Sequence, residues 1–291
     1  MTQNLLSAIE SCTHRKLVKA CAEIIFFIAR SVLQYMPGKH HCSACGALYF
    51  CIYRPVLSEK LMTEWNLNAD WKDLFNRRDG EICIACGGPI RGRQMGSALV
   101  NWINRTLGAN FQNIRAAFRD SRARSLKIAE INSCGGIHKI LNSLKNVHYS
   151  EFEPQDKAIR HENLLALSYE DESFDIVLHS DTLEHVPDID RALSEIMRVL
   201  KPGGAMIFSV PIVRDGRETL VRAKLENGGI RHYCAPSYHG GSYQQTNQYL
   251  VCYEFGEDFI DLLKRHGFRV ELLEYPDNPA AVTFTAIKPS V

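Results

Sequence analysis

Phe174-Asp-Ile-Val-Leu-His-Ser180, Leu183-Glu184-His185-Val186-Pro187-Asp188 and Glu195-Ile-Met-Arg198-Val-Leu-Lys201-Pro202-Gly203-Gly204 follow one another closely and decide the fold. The first phrase is a short, mostly apolar run, the pattern of a buried strand. Pro187 opens a helix, where a missing N–H costs nothing, and Ile189, Leu193, Ile196, Val199 and Leu200 recur at helical spacing. Lys201-Pro-Gly-Gly204 ends that helix, because proline cannot continue it and glycine tolerates the turn. Ala205–Val210 then reads as the next strand.

The same alternation extends to both sides. Upstream, Leu126–Ile131 is a strand, Ser133-Cys-Gly135-Gly136 a turn and Ile137–Lys145 a helical segment. Val147–Ser150 is a second strand that runs into Glu151, and Leu164–Leu167 a third. Downstream, Gly256–His266 reads as a helix, with final strands at Phe268–Glu274 and Ala281–Ile287. Strands alternating with helices predict an α/β fold with a mostly parallel, helix-covered sheet. In such sheets ligands sit beyond the carboxyl ends of the strands, at the switch point.

The chain has 291 residues, 45% of them hydrophobic and 23% charged, which fits a globular protein and excludes disordered, collagenous and low-complexity classes. A net charge of +1 gives no global reason to expect a nucleic-acid partner. Ten cysteines, as two Cys-x-x-Cys pairs and six singletons, suit reduced thiols and metal better than bridges, and so a cytoplasmic compartment. The most apolar stretch, Leu17 to Met36, is interrupted by Lys19, Glu23 and Arg30, short of the roughly 20 apolar residues of a membrane span. It reads as a helix packed on the body. Peripheral contact with lipid is the alternative, because Arg15, Lys16, Lys19 and Arg30 flank its apolar face.

His41-Cys42-Ser-Ala-Cys45-Gly46 and Ile82-Cys83-Ile-Ala-Cys86-Gly87-Gly88 are two copies of one phrase. Each aims two sulfurs at one point, and Cys42, Cys45, Cys83 and Cys86 together supply the four thiolates that tetrahedral Zn2+ prefers. The 37 residues between Cys45 and Cys83 leave room for a strand around Leu48–Arg54 and a helical piece around Glu59–Phe75. A pair of free-thiol or redox turns is the alternative. Cys12, Cys21 and Cys51 have no partner spacing and read as buried apolar thiols. This stretch resembles the small zinc-binding module that precedes some bacterial methyltransferase domains, with Arg91-Gly-Arg93 and a helix at Ser97–Leu107 following the second pair. Arg91 to Lys127 holds eight Lys/Arg and one acidic residue, a strip that suits phosphate groups or a solvated helix face.

With its three phrases in order, Leu126 to about Lys288 is similar to class I S-adenosylmethionine-dependent methyltransferases, particularly those that methylate small molecules and sugars. The resemblance implies a Rossmann-like, doubly wound sheet and S-adenosylmethionine as cofactor. It implies a chain divided into a helical segment (1–38), a zinc-ribbon-like module (39–95), a helical linker (96–122) and a methyltransferase domain (123–291) with an acceptor cap at about 212–255. In the turn after the first strand it assigns Glu130, Asn132, Cys134, Gly135 and Gly136 to the cofactor. Asn132 and Cys134 stand where glycines are usual, so crowding of the methionine part is expected, with Gly135 compensating. Glu151 takes the ribose hydroxyls, being acceptor-only, with Glu153 a substitute. Asn163 and Leu164, with Glu162 an alternative, stand near the adenine, and Ser180, at the end of the fourth strand, is also assigned to the cofactor. His185 is expected as the catalytic base, with Asp181 and Glu184 as alternatives. Within the cap, Arg231-His232-Tyr233, Tyr238-His239-Gly240-Gly241 and Tyr243 suit a small polar acceptor, and His239 is the expected acceptor-side residue.

Three functions follow: methyl transfer to a small-molecule or glycan-linked acceptor, a catalytically inactive methyltransferase-like binding module, and an RNA methyltransferase. Near-neutral charge and His179-Ser180-Asp181-Thr182 after strand four, in place of an Asn-Pro-Pro-Tyr-type phrase, argue against the last.

Overall fold

The computed structural model describes residues 41–48, 51–240 and 249–290. The helix expected at 17–36, Cys12, Cys21, Gly241 and Tyr243 lie outside the described residues. Among those residues no helix is long and apolar enough to cross a membrane.

The chain first builds a small antiparallel pair, β1 (Cys51–Tyr53) with β2 (Glu81–Cys83), separated by α1 (Glu59–Glu64) and α2 (Ala69–Gly80). Ser58 and Asn68 cap these helices by accepting from the backbone N–H groups of Leu61 and Trp71. α3 (Ile90–Leu107) starts immediately after Pro89, so Arg91 and Arg93 lie in its first turn instead of ahead of a helix at Ser97. It ends at Gly108 in the left-handed conformation. Two short helices, α4 (Ile114–Ala117) and α5 (Ser121–Ser125), lead into the sheet.

The second half contains β3 (Ile128–Ile131), α6 (His138–Leu141), β4 (Val147–Glu151), β5 (Arg160–His161), β6 (Phe174–Ser180), α7 (Ile189–Val199) and β7 (Leu200–Ser209). Six short strands follow: β8 (Leu220–Val221), β9 (Ala223–Glu226), β10 (Gly229–His232), β11 (Tyr238–His239), β12 (Tyr249–Leu250) and β13 (Tyr253–Glu254). α8 (Phe259–Arg265), β14 (Arg269–Tyr275) and β15 (Asn278–Ile287) complete the chain.

Seven strands form the central sheet in the order β14-β15-β7-β6-β3-β4-β5. β5, β4, β3, β6 and β7 are parallel, and β15 runs antiparallel between β7 and β14. The chain enters at β3, winds outward to β5 and returns to the other side of β3, which puts the switch point between β3 and β6. This is the expected Rossmann-like α/β fold. Alternation along the strands feeds two cores. Val177, Met206 and Phe208 point to the face covered by Leu193, Ile196 and Val199 of α7. Ile176, Leu178, Ala205 and Ile207 point to the face covered by Leu99 and Ile103 of α3 and by the four paired cysteines. Burial on both faces is why these strands read as apolar runs.

Three expectations are corrected. The third strand is Arg160–His161, paired with Ser150 and Glu151, and not Leu164–Leu167. Asn163 Oδ1 accepts from Leu165 N at 2.9 Å, a side-chain turn that folds the segment back and sinks Leu164 and Leu167 into the core. The fifth strand begins at Leu200, so Lys201-Pro-Gly-Gly204 lies inside it, with an irregular register between Phe174 and Ile176 that absorbs the glycines. The helix after the glycine turn is one turn, His138–Leu141, shorter than Ile137–Lys145. The segment 212–255 is built of antiparallel ribbons, β8 with β13, β9 with β10 and β11 with β12. Asn227 and Gly228, both at positive φ, join β9 to β10, as a two-residue hairpin requires.

Candidate active site and cysteine cluster

The turn after β3 is held from below by Glu130. Its carboxylate is fully buried and accepts from Cys134 N at 2.8 Å, while its other oxygen meets His138 Nδ1 at 2.8 Å. That bond raises the His138 pKa above its ordinary value, against the opposing effect of burial. Tyr149 packs on the His138 ring at 4.3 Å and donates to Glu151 Oε1 at the end of β4. Glu130, expected at the cofactor, thus shapes the turn, and Glu151 closes the same chain of contacts.

Asn132 sits at φ +58°, a left-handed conformation that asparagine tolerates better than most residues. Its Oδ1 accepts from Phe152 N at 3.1 Å, and its Nδ2 reaches Thr182 Oγ1 at 3.5 Å, so the side chain ties the ends of β4 and β6 together. Cys134 is buried beside the Asn132 carbonyl, and burial pushes its thiol well above the ordinary range. Both side chains that replace the usual glycines are therefore committed to the protein. Gly135, at φ +60°, has open space where a Cβ would stand, so the backbone is approachable there.

Gly136 has the opposite surroundings. A Cβ there would stand 2.8 Å from Gly88 Cα and 2.9 Å from Gly88 N, so the second cysteine turn lies directly on the glycine turn. The two cysteine turns are duplicates. Gly46 N bonds to Cys42 O and Gly87 N to Cys83 O, both at 2.7 Å, with Gly46 at φ +74° and Gly87 at φ +75°. The sulfurs of Cys42, Cys45, Cys83 and Cys86 are buried, unbridged and within 4.8 Å of one another. Cys42 and Cys86 are 3.9 Å apart, close to the roughly 3.8 Å edge of a tetrahedron with Zn–S bonds of about 2.3 Å. The donor set fits zinc. Cys51, expected as a buried apolar thiol, is half-buried and polar in its contacts, with Arg93 Nη1 at 3.4 Å and Glu81 Oε1 at 3.6 Å.

An ionic network missing from the sequence reading joins this module to the sheet edge. Arg78 of α2, 1% exposed, donates to both oxygens of Asp181 at 2.8 and 2.6 Å and also to Asp79. Arg91 bonds to Asp79 at 2.5 Å and to the Ser180 hydroxyl. Ser209 donates to Asp181 at 2.8 Å. Burial opposes ionisation of Asp181, but Arg78 and Arg91 outweigh it and hold the carboxyl well below its usual range. Asp181 is thus an anchor and a poor candidate for a base. A signal was present: Arg78 shares a helical face with Trp71 and Phe75, so a charge stands at an apolar position. Arg93 is also buried, bonded to Glu81 at 2.9 Å, so one of the eight cations in the expected basic strip is buried, and Arg91 is engaged by Asp79 and Ser180.

On the one-turn 3-10 helix Leu183–His185 after β6, Glu184 is 1% exposed and His185 is half-buried. Burial lowers the pKa of His185, and its Nδ1 lies 2.9 Å from the Leu250 carbonyl. Nδ1 is therefore the protonated nitrogen, and Nε2 carries a lone pair. His239 of β11 packs 4.6 Å from the His185 ring and edge-on to Trp65 of the N-terminal module at 5.1 Å. Cys252 N bonds to Glu184 O at 2.7 Å, which fixes the cap over this turn. His185 and His239, far apart in sequence, thus share one cluster. Asn163 and Leu164 follow β5, the first engaged by Leu165 N and the second in the core. Glu162 is taken up by Arg160 and Ser168. A pocket of about 210 Å³ lined by Lys127, His148, Arg160 and Tyr169 lies by contrast at the amino ends of the strands.

Residues 133–208 match the family model described as a methyltransferase domain. The chain is 35% identical over 120 residues to glycine/sarcosine/dimethylglycine N-methyltransferase of Actinopolyspora halophila, covering 40% of this chain and 20% of that one. It is 35% identical over 104 residues to sarcosine/dimethylglycine N-methyltransferase of Halorhodospira halochloris, covering 35% of this chain and 36% of that one. The chain thus spans well under half the length of these curated relatives. Among solved structures, it is similar to Burkholderia thailandensis 1,6-didemethyltoxoflavin-N1-methyltransferase with bound 1,6-didemethyltoxoflavin and S-adenosylhomocysteine. That likeness has 17% identity, a TM-score of 0.41, and coverage of 87% of this chain and 100% of that one.

Proposed function

We propose that this protein transfers a methyl group from S-adenosylmethionine to an oxygen or nitrogen of a small-molecule or glycan-linked acceptor. The observation that carries the reading is convergence. The approachable Gly135 backbone, Glu151, Ser180 and the His185–His239 pair all belong to segments at the carboxyl edge, beside the switch point where such sheets bind ligands. The matched methyltransferase segment covers most of those residues, and relatives named for glycine, sarcosine and dimethylglycine favour a small acceptor over a polymer.

In this reading Glu151 accepts from the ribose hydroxyls with the lone pairs that Tyr149 leaves free. Backbone N–H groups of the Gly135–Gly136 turn and the Ser180 hydroxyl hold the methionine end. Asn163 and Leu164 stand by the adenine. The acceptor lies under the cap, near His239, with its nucleophilic atom in line with the sulfonium methyl. The C–S bond breaks as the new C–O or C–N bond forms, leaving a neutral thioether. His185 Nε2 takes the acceptor's proton, since Nδ1 is committed to Leu250. Much of the acceleration comes from positioning.

The paired cysteines hold a structural zinc ion, in a module (39–95) that braces the glycine turn of the methyltransferase domain (123–291). The cysteine pattern, which suits reduced thiols and metal, favours a cytoplasmic compartment. The test is transfer of isotopically labelled methyl from S-adenosylmethionine to a panel of small amines, hydroxy acids and sugars. Labelled product is expected with at least one acceptor class, reduced roughly 10²- to 10⁴-fold in His185→Ala. No product and no bound S-adenosylhomocysteine, in folded and zinc-loaded protein, would overturn the reading.

A further inference from the structure

Three side chains from two distant segments meet beside the cap: Glu184, His185 and His239, whose ligand atoms lie within 4.8 Å of one another. Glu184 Oε1 is 3.7 Å from His185 Nε2 and 3.8 Å from His239 Nε2, too far for a shared proton in either pair. Among the described residues, neither oxygen of Glu184 has a hydrogen-bond partner, although the side chain is 1% exposed. Arg78 is close enough to feel this charge, yet it gives its Nη groups to Asp79 and Asp181. A buried carboxylate left without a partner is strongly unfavourable, so something positive belongs beside it.

Neither histidine comes within hydrogen-bonding distance of it. His185 Nδ1–H donates to the Leu250 carbonyl, so its Nε2 lone pair points at the carboxylate. A backbone carbonyl that accepts from the other ring nitrogen and so fixes the tautomer is characteristic of metal-ligating histidine. His239 presents Nε2 to the same oxygen, and Trp65 holds its ring edge-on.

We propose that Glu184, His185 and His239 bind a divalent first-row cation beside the acceptor position. Metal–ligand bonds of about 2.0–2.2 Å place such ligands roughly 3.0–3.6 Å apart, within a few tenths of an ångström of the separations found. Two imidazoles and one carboxylate leave coordination positions open, as in metal sites that act on a substrate. The open positions face an acceptor that offers a hydroxyl or carboxylate oxygen. This part of the inference rests on the methyl-transfer reading. With the cation bound, His185 is a ligand and the base role given to it above passes to water: the cation lowers the pKa of a coordinated acceptor hydroxyl, whose proton leaves to solvent before its oxygen takes the methyl group.

Mn2+ is the first probe, because this hard ion avoids thiolates and leaves the zinc-loaded cysteine cluster out of the readout. The full chain, zinc-loaded, is titrated with Mn2+ while free aqueous Mn2+ is followed by electron paramagnetic resonance, and with Co2+ followed by its visible spectrum. One further cation per chain is expected. Glu184→Gln and His239→Gln should each weaken binding at least as much as the roughly 10- to 100-fold that outer-shell changes cost. Glu184→Gln removes an unpaired buried charge, so the variant lacking this second cation should unfold at or above the wild-type temperature, and Mn2+ should raise the midpoint of wild type alone. Failure of wild type to bind either ion, binding unaffected by Glu184→Gln, or destabilisation of that variant without the cation would each overturn the proposal. S-adenosylhomocysteine binding by the same samples is expected throughout. Its absence from wild type would sink the methyl-transfer reading, while the cation count stands or falls separately.

Discussion

Asn132 shows how a departure from the expected glycine is accommodated. A left-handed φ of +58° costs an ordinary residue about 1–2 kcal/mol, and asparagine escapes part of that cost through local hydrogen bonds. Asn132→Ala should destabilise the fold by about 2 kcal/mol, combining strain with the lost bond to Phe152 N, whereas Asn132→Gly should lose about 1 kcal/mol. Denaturant titration separates the two. His138 yields a pH prediction. Its folded pKa is raised by Glu130, so the stabilisation is fully present below the unfolded value near 6.5 and is lost as pH rises through the higher folded value. Stability should therefore decline above pH 6.5, and His138→Gln should flatten that part of the profile. That Glu151 ends a strand and that four cysteines gather in one cluster was legible in the sequence, because both follow from local spacing. The burial of Glu130 under its own turn was not, since nothing nearby distinguishes a carboxylate that binds a ligand from one that binds backbone.

At the scale of elements, the second cysteine turn lies directly on the glycine turn. Gly136→Ala would force a methyl group into Gly88, with backbone on both sides, and should cost about 1–3 kcal/mol. The same variant should also retain zinc less tightly, a coupled effect that metal analysis after dialysis can read. Removing zinc with a chelator from wild type should lower the unfolding midpoint and expose thiols to titration; an unchanged midpoint would show that the cysteines hold no structural ion. Strands β3, β6 and β15 were legible because burial on both faces writes itself into composition. β5 was not, because two exposed residues, Arg160 and His161, carry no apolar signal. Asn227-Gly228 did carry a readable hairpin signal, and the ribbon architecture of the cap follows from such short-range turns.

Across the whole molecule, the N-terminal module is part of the site's wall. Arg78, Asp79 and Arg91 come from that module, and Asp181, Ser180 and Ser209 from the sheet edge, so neither half satisfies its buried charges alone. Asp181→Asn leaves Arg78 underpaired and should cost about 3 kcal/mol, the low end for such a loss because Asp181 is 18% exposed. Sequence spacing could not reveal this pairing, which spans more than a hundred residues. The most direct test of the account is thermal unfolding of the zinc-loaded chain with and without S-adenosylmethionine. A ligand at 100 times its dissociation constant should add roughly 2.7 kcal/mol and raise the midpoint clearly. The account predicts that rise, and predicts that Glu151→Ala weakens binding roughly 10- to 100-fold, as expected for lost hydrogen bonds to a charged group. An unchanged midpoint with both S-adenosylmethionine and its demethylated product would contradict the central claim that this sheet edge is a cofactor site.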